Sequence, residues 1–284
     1  MFSFCVRGFS GGSFVLKRNL RLLSSASAET GSGVTEPNCL VSGLVPILKP
    51  TNWTSRDVVS YVRKTLEIDC KNRHQVKKRP KIKVGHGGTL DPLATGVLVL
   101  GIGKGTKVMG EYLKGGKKYE AEFEVGYETD TLDLEGKIIK TCERGLTLDP
   151  KIVDTFKGEI MQQPPMFSAL HIDGRRLYEL AREGLDYSDV DVPKRPVVVK
   201  TLEIRELEGM EKKFEMECEV GGGTYIRSLI RDLAYGHGTL GTMTKLERTE
   251  AGGFTLEDCI SLRSSADEIY EKAMKVNELR DIEF

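Results

Sequence analysis

The sequence predicts an α+β fold, a mixed and mainly antiparallel sheet flanked by helices, and three observations carry that expectation. Two stretches, KYEAEFEVGY from Lys118 and FEMECEV from Phe214, alternate apolar and acidic residues with period two, as half-buried strands do. Other segments repeat apolar residues at helical intervals behind capping signals. Strand-like segments joined by turns outnumber strict strand-helix alternation, which disfavours a wholly parallel sheet.

Element by element, LVSGLVPILKP is an apolar run stopped by Pro50 and reads as a buried strand. Thr54 and Asp57 have capping-box spacing, and Val58, Val59, Val62 and Leu66 follow at helical intervals, which predicts a helix over 55–67. KNRHQVKKRPKIK, residues 71–83, holds seven bases, one histidine and no acid. Two readings stay open for it, a solvated loop and a contact for nucleic-acid phosphates. After the first alternating strand, Asp173-Gly174 marks a hairpin turn, and RRLYELAREG a short helix ending at Gly184. VVVKTLEIREL is a further strand. A glycine run, Gly221 to Gly223, leads from the second alternating strand into TYIRSLIRDLA. There Ile226, Leu229, Ile230 and Leu233 share one helical face. The tail SADEIYEKAMKVNELRD reads as a helix capped by Ser265 and Glu268, with Ile269, Met274 and Val276 available for packing.

At 284 residues the chain has length enough for a substantial core. Its 42 Lys and Arg balance 42 Asp and Glu, so bulk charge does not announce a nucleic-acid partner and any such contact must come from local patches. Six scattered cysteines show neither C-x-x-C pairing nor zinc spacing, and there are four histidines. Reduced thiols and no structural metal are the expectation. The first 28 residues carry Arg7, Lys17, Arg18 and Arg21, many serines and no acid. That is the composition of an organellar transit peptide, mitochondrial in first place and chloroplast as the alternative. No apolar run is long enough to span a bilayer.

The glycines of GIGKGTK miss the phosphate-loop pattern, because Thr106 rather than glycine precedes Lys107, and they also miss G-x-G-x-x-G. They are expected to shape tight turns, and no nucleotide cofactor is expected. Asp91 stands before Pro92, ordinarily a turn position. Gly85, Gly87 and Gly88 nevertheless let backbone approach a bound group closely, and Leu90, Leu93, Val97 and Leu98 supply an apolar wall. A carboxylate in such a wall needs a cation to remain ionised. Arg227, at the start of the helix after the glycine run, is a candidate.

GHGGTLDPLATGVLVLGIGKGTK (85–107) resembles the signature of the TruB family of tRNA pseudouridine synthases. Further blocks resemble that family in order: LKPTNWTS, KKYEAEFEVGYETDTLDLEG, QPPMFSALHIDGRRLYELAREG, GGTYIRSLIRDLA and KLERTEAGGF. The resemblance implies the pseudouridine synthase fold with a central active-site cleft. Residues 1–40 would be transit peptide and linker, 41–262 the catalytic domain with a basic insertion at about 69–84, and 263–284 a C-terminal helical tail.

The implied reaction is the isomerisation of a T-loop uridine, position 55 of tRNA, to pseudouridine. The C1′–N1 glycosidic bond breaks, the base turns, and it rejoins through C5. No atoms are gained or lost, so neither a metal nor a cofactor is expected. The uridine must leave its stack to be reached. One carboxylate then suffices, where a glycosidase uses two; attack at C1′ and elimination at the sugar remain alternative routes. Carried over by motif, Asp91 is the catalytic acid and Arg227 pairs with it. Tyr119 stacks on the target base and takes part in proton transfer. His86 fills the vacated stack, while Tyr225 and Leu246 line the substrate pocket.

Taken singly, the two tyrosines and Leu246 could equally be core residues and Arg227 a surface ion pair. Lys107 and Asp130 fall in matched motifs without an assigned role. Asn52 replaces a usual glycine, a mild change because Asn tolerates the left-handed conformation. Phe167 and His171 replace Tyr and Lys, which weakens one hydroxyl and one phosphate contact. The expected partner is tRNA through its T-arm, with T-loop-like stem-loops in other RNAs as further candidates and no membrane. Bacterial relatives carry a C-terminal RNA-binding PUA domain; here only the tail follows Ser261, so RNA recognition is expected to rest on the catalytic domain, its insertion or a partner. The alternative function is a non-catalytic RNA-binding or RNA-folding protein on the same fold.

Overall fold

A computed structural model describes residues 41–282, and in it the two alternating stretches become neighbouring strands of one ten-stranded sheet. The expected transit segment lies outside the described residues. The strands are β1 (Gly43–Lys49), β2 (Val84–His86), β3 (Thr95–Ile102), β4 (Lys117–Val125), β5 (Tyr127–Thr129), β6 (Ile138–Thr141), β7 (Gly158–Gln162), β8 (His171–Ile172), β9 (Arg175–Arg176), β10 (Arg195–Glu206), β11 (Lys213–Val220), β12 (Gly241–Ala251), β13 (Phe254–Thr255) and β14 (Ile260–Ser261). The helices are α1 (Ser55–His74), α2 (Met109–Lys114), α3 (Pro150–Asp154), α4 (Leu177–Arg182), α5 (Ile226–Gly236) and α6 (Ala266–Leu279). The main sheet runs β14-β1-β3-β12-β4-β11-β10-β7, with β13 on β12 and β2 on β3. Among these strands only the β1–β14 and β3–β12 pairs are parallel. The mixed, mainly antiparallel sheet read from the sequence is therefore the fold.

In β4 and β11 the alternation does what its period demands. Tyr119, Ala121 and Phe123 face Cys218, Met216 and Phe214 across the ladder, and the two Phe rings stack with centroids 5.3 Å apart. The opposite face sets Glu120 against Glu217 and Glu122 against Glu215. Flanking strands answer this like-charge row: Lys245 reaches Glu122 at 3.0 Å and Arg205 reaches Glu215 at 3.0 Å. Such exposed pairs relieve repulsion more than they add stability.

α1 runs seven residues beyond its expected end. Cys70 continues the buried stripe of Val58, Val62 and Leu66, and the last-turn Lys71, Arg73 and His74 suit the negative end of the helix dipole. Gln75, left-handed at φ 49°, stops it. The basic stretch is therefore split, its first part helical and the rest returning to β2 through buried Ile82, whose N–H donates to Glu67.

α5 buries Ile226, Leu229, Ile230 and Leu233 and packs on β12 and β4. α6 has the expected Ser265–Glu268 capping box and packs on β1. Met274, however, is exposed, and Ala273 joins Ile269 and Val276 in the core. Position 274 is five residues from Ile269, off the stripe that spacings of four and seven define. The Asp173-Gly174 turn joins β8 to β9 with both residues at positive φ. The expectation of reduced thiols holds for Cys142, Cys218 and Cys259. Cys70 is instead disulfide-bonded; spacing along the chain carries no information on which cysteines meet in space.

Candidate active site

The loop that carries Asp91 is held by the segment just before α1. Lys49 Nζ donates to the carbonyls of Pro50 (2.9 Å) and Pro92 (3.2 Å). The Asn52 N–H donates to Pro92 O at 2.8 Å, and Thr51 Oγ1 to Leu93 O at 3.3 Å. Ser55 Oγ accepts from the Leu90 N–H (2.8 Å) and donates back to Leu90 O (3.1 Å). Asn52 adopts φ 63°, the left-handed geometry that Asn supplies in place of glycine. From the other side Arg248, fully buried, donates to Val97 O at 2.8 Å and Gly88 O at 3.2 Å. Gly96 at φ 105° lies so close to the Arg248 backbone that a Cβ would come within 2.2 Å of its carbonyl oxygen.

This frame leaves the Asp91 side chain 29% exposed while its partner is almost fully buried at 4%. Arg227 Nη2 donates to Asp91 Oδ1 at 3.0 Å, and Nε lies 2.9 Å from Oδ2 as an ion-pair contact without hydrogen-bond alignment. The same guanidinium donates to Thr131 O (2.7 Å) and Phe167 O (3.0 Å). The Phe167 contact is through backbone, so the departure from Tyr there leaves Arg227 anchored.

The site does not hold a lone acid. Asp133 Oδ2 lies 3.8 Å from Arg227 Nη1. Its other oxygen accepts from Thr131 Oγ1 and the Glu135 N–H, and burial pushes its carboxyl above the ordinary range despite those bonds and Arg227. Both oxygens are engaged and the side chain is closed to solvent, so Asp133 acts as a brace for Arg227, whereas Asp91, held by the guanidinium, and the exposed Glu135 beside it remain open.

Tyr225 immediately precedes α5, and Gln162 fixes it at two points: Oε1 accepts from the Tyr225 N–H (2.8 Å) and Nε2 donates to its carbonyl (3.1 Å). Burial raises the Tyr225 phenol pKa, and Asp91 adds to the rise. The buried Ser168 hydroxyl beside the phenol acts the other way and moderates that rise. Tyr119 on β4 and Leu246 on β12 are buried in the same apolar cluster as Leu90. His86, on β2, has no bond to Asp91. Burial lowers its pKa, with Arg248 adding to the effect, and Nδ1 accepts from the Gly88 N–H at 3.4 Å, which fits a neutral ring. Lys107 is exposed, and Asp130 accepts from the Lys137 N–H.

Lys49, Ser55, Asp133, Gln162 and Arg248 escaped the sequence reading. Lys49 is fully buried, and desolvation lowers its pKa to about 8 although Asp91 and Glu135 oppose the fall. Its signal was present in LKPTNWTS, where a lysine inside an apolar strand has no surface role. The reach of Gln162 to Tyr225 across 63 positions left no trace in spacing. Among the described residues no three His, Cys, Asp or Glu side chains converge as a metal site.

An arginine-held, half-open carboxylate beside an apolar wall, with Tyr225 near enough to feel its charge, can act on a polar bond of a group brought into the site. Comparison with known proteins agrees. Residues 71–226 match the TruB family pseudouridylate synthase N-terminal domain. The chain is 43% identical over 227 residues to tRNA pseudouridine synthase B of Microcystis aeruginosa, covering 78% of this chain and 71% of that protein. It is 39% identical over 241 residues to the Clostridium novyi protein of that name, covering 84% and 77%. Among solved structures, a chain of a Cbf5-Nop10-Gar1 complex superposes with a TM-score of 0.54 at 28% identity, over 85% of this chain and 57% of that one. The chain thus spans a little over half the length of that solved relative. On these matches and the ordered motifs around Asp91, the chain belongs to the TruB family of pseudouridylate synthases.

Proposed function

We propose that this protein is a tRNA pseudouridine synthase that isomerises the T-loop uridine at position 55, with Asp91 as its catalytic carboxylate. The observation that carries the reading is the Asp91–Arg227 pair on a loop that two separate segments hold rigid. Relatives named tRNA pseudouridine synthase B match over most of their length. A uridine flipped out of its loop would stack against Tyr119 over the apolar floor of Leu246 and Leu90, with Tyr225 at its edge and His86 in the gap it leaves. Asp91 then acts at the sugar. The N1–C1′ bond breaks and a C5–C1′ bond forms; the proton lost at C5 is matched by one gained at N1, so the product is an isomer. Arg227 keeps Asp91 aimed through the bond change, electrostatic preorganisation that needs no rearrangement at the moment of reaction.

Incubating the protein with unmodified tRNA and mapping pseudouridine tests this. Wild type should form it at the T-loop, and Asp91→Asn should lose at least about 10³-fold in rate, on the order expected when a catalytic group is removed. An Asp91→Asn variant that still modifies RNA removes Asp91 from its role. An inactive wild type that still remodels tRNA favours the non-catalytic reading. The basic N-terminal 28 residues support a mitochondrial address, with the chloroplast as alternative; imaging a fusion of residues 1–40 decides it.

A further inference from the structure

We propose that Trp53 and Tyr61 form a stacking platform for a second base of the bound RNA, outside the reaction pocket. This rests on the reading of RNA as substrate. The two rings meet edge to face with centroids 5.8 Å apart. Together with Asn52, Asp57, Ser60 and Lys64 they line a shallow surface depression of about 440 Å³. Tyr61 is 36% exposed, and Trp53 is half-buried, packed against the core while lining the depression.

Position gives the depression its meaning. Trp53 lies between Asn52, whose N–H holds Pro92 O, and Ser55, whose hydroxyl holds Leu90. The frame that fixes the Asp91 loop therefore also fixes the indole. A base stacked there would be placed in register with the catalytic carboxylate.

Charge on α1 selects the occupant. Its acids are already engaged: Asp57 accepts from the Thr54 N–H (3.0 Å) and hydroxyl (2.5 Å), Glu67 from the Ile82 N–H, and Asp69 pairs with Arg73. Arg56, Arg63, Lys64 and Lys71 are exposed and have neither hydrogen bond nor ion pair among the described residues. Tyr61, Lys64, Ile68 and Lys71 fall on one helical stripe, which leads from Trp53 towards the free lysines of residues 77–83. Aromatic faces interleaved with unpaired cations are the composition that binds single-stranded nucleic acid by stacking and phosphate contact. Asp57, beside the rings, would repel a phosphate, so the depression takes the face of a base while Lys64 and Lys71 take the backbone.

Trp53 is the only tryptophan of the chain, so its emission reports the platform directly. Unmodified tRNA transcript is titrated into the whole protein, with binding followed separately by anisotropy of end-labelled RNA. Trp53 emission should quench in step with the anisotropy. Tyr61→Ala should weaken binding about tenfold without changing its salt dependence, and Tyr61→Phe should restore it. Lys64→Ser should instead flatten the salt dependence by about one unit of slope. Bound RNA with unchanged emission, and Tyr61→Ala binding like wild type, would overturn the platform and leave the depression to a protein partner. RNA that binds and quenches but is never isomerised would refute the catalytic proposal alone; no binding at all would refute both.

Discussion

Replacing Arg227 by lysine would keep the charge and lose the geometry. The guanidinium serves Asp91, Asp133 and the carbonyls of Thr131 and Phe167 at once. One ammonium cannot span them. We predict that Arg227→Lys loses at least about tenfold in kcat, and that Arg227→Ala loses stability as well, by about 3–5 kcal/mol, since it leaves a carboxylate buried and unpaired. Turnover and urea unfolding of the two variants check this; equal turnover in wild type and Arg227→Lys would show that charge alone matters. The role of Arg227 was legible because a desolvated carboxylate needs a cation. Its choice over other arginines came from family motifs, since spacing along the chain does not say which distant arginine arrives. Asp133 was illegible for the same reason, and so was the Phe167 carbonyl that Arg227 also reaches, a contribution every residue carries whatever its side chain.

At the scale of elements, the first turn of α1 and the Asp91 loop behave as one unit through Ser55. Ser55→Ala removes two hydrogen bonds and leaves the Leu90 N–H buried without its partner, at a cost of about 1–3 kcal/mol. The expected signature is a lower urea midpoint together with slower turnover, because the loosened loop carries the acid; a variant stable as wild type would put the loop's rigidity elsewhere. The basic stretch belongs here too. All seven of its cations are exposed, and among the described residues only Arg73 of them is ion-paired. Replacing the seven with serine should weaken tRNA binding and flatten its salt dependence, by about 0.7–0.9 in slope for each phosphate no longer neutralised. An unchanged slope would exclude the stretch from the RNA interface. Helices were legible in their starts, where capping boxes are local, and less so in their ends. α1 continues to His74 because Cys70 found the core, a fact of packing that the charged sequence after Leu66 concealed.

Across the whole molecule, two buried lysines link the fold to pH. Lys49 and Lys117 are held to about 8 by desolvation, against an ordinary 10.5. Between those values the unfolded chain binds protons that the folded chain does not. Their contribution is complete above pH 10.5 and is lost as pH falls through 8. Wild type should therefore gain roughly 1–2 kcal/mol over Lys49→Met between about pH 7.5 and 9.5, read as the difference in urea unfolding at the two values; a constant difference would mean Lys49 is charged throughout. The sequence by itself determined the mixed sheet, the strand faces and most helix starts, because period and capping act among neighbours on the chain. It also singled out Asp91, through glycines and aliphatics beside it. Only the tertiary structure decided what surrounds that acid: the Arg227 fork, the Asp133 brace, the Lys49 and Ser55 clamps and the Gln162 hold on Tyr225. Those contacts join residues up to 136 positions apart, where burial and hydrogen-bond satisfaction, rather than any local pattern, choose the partner.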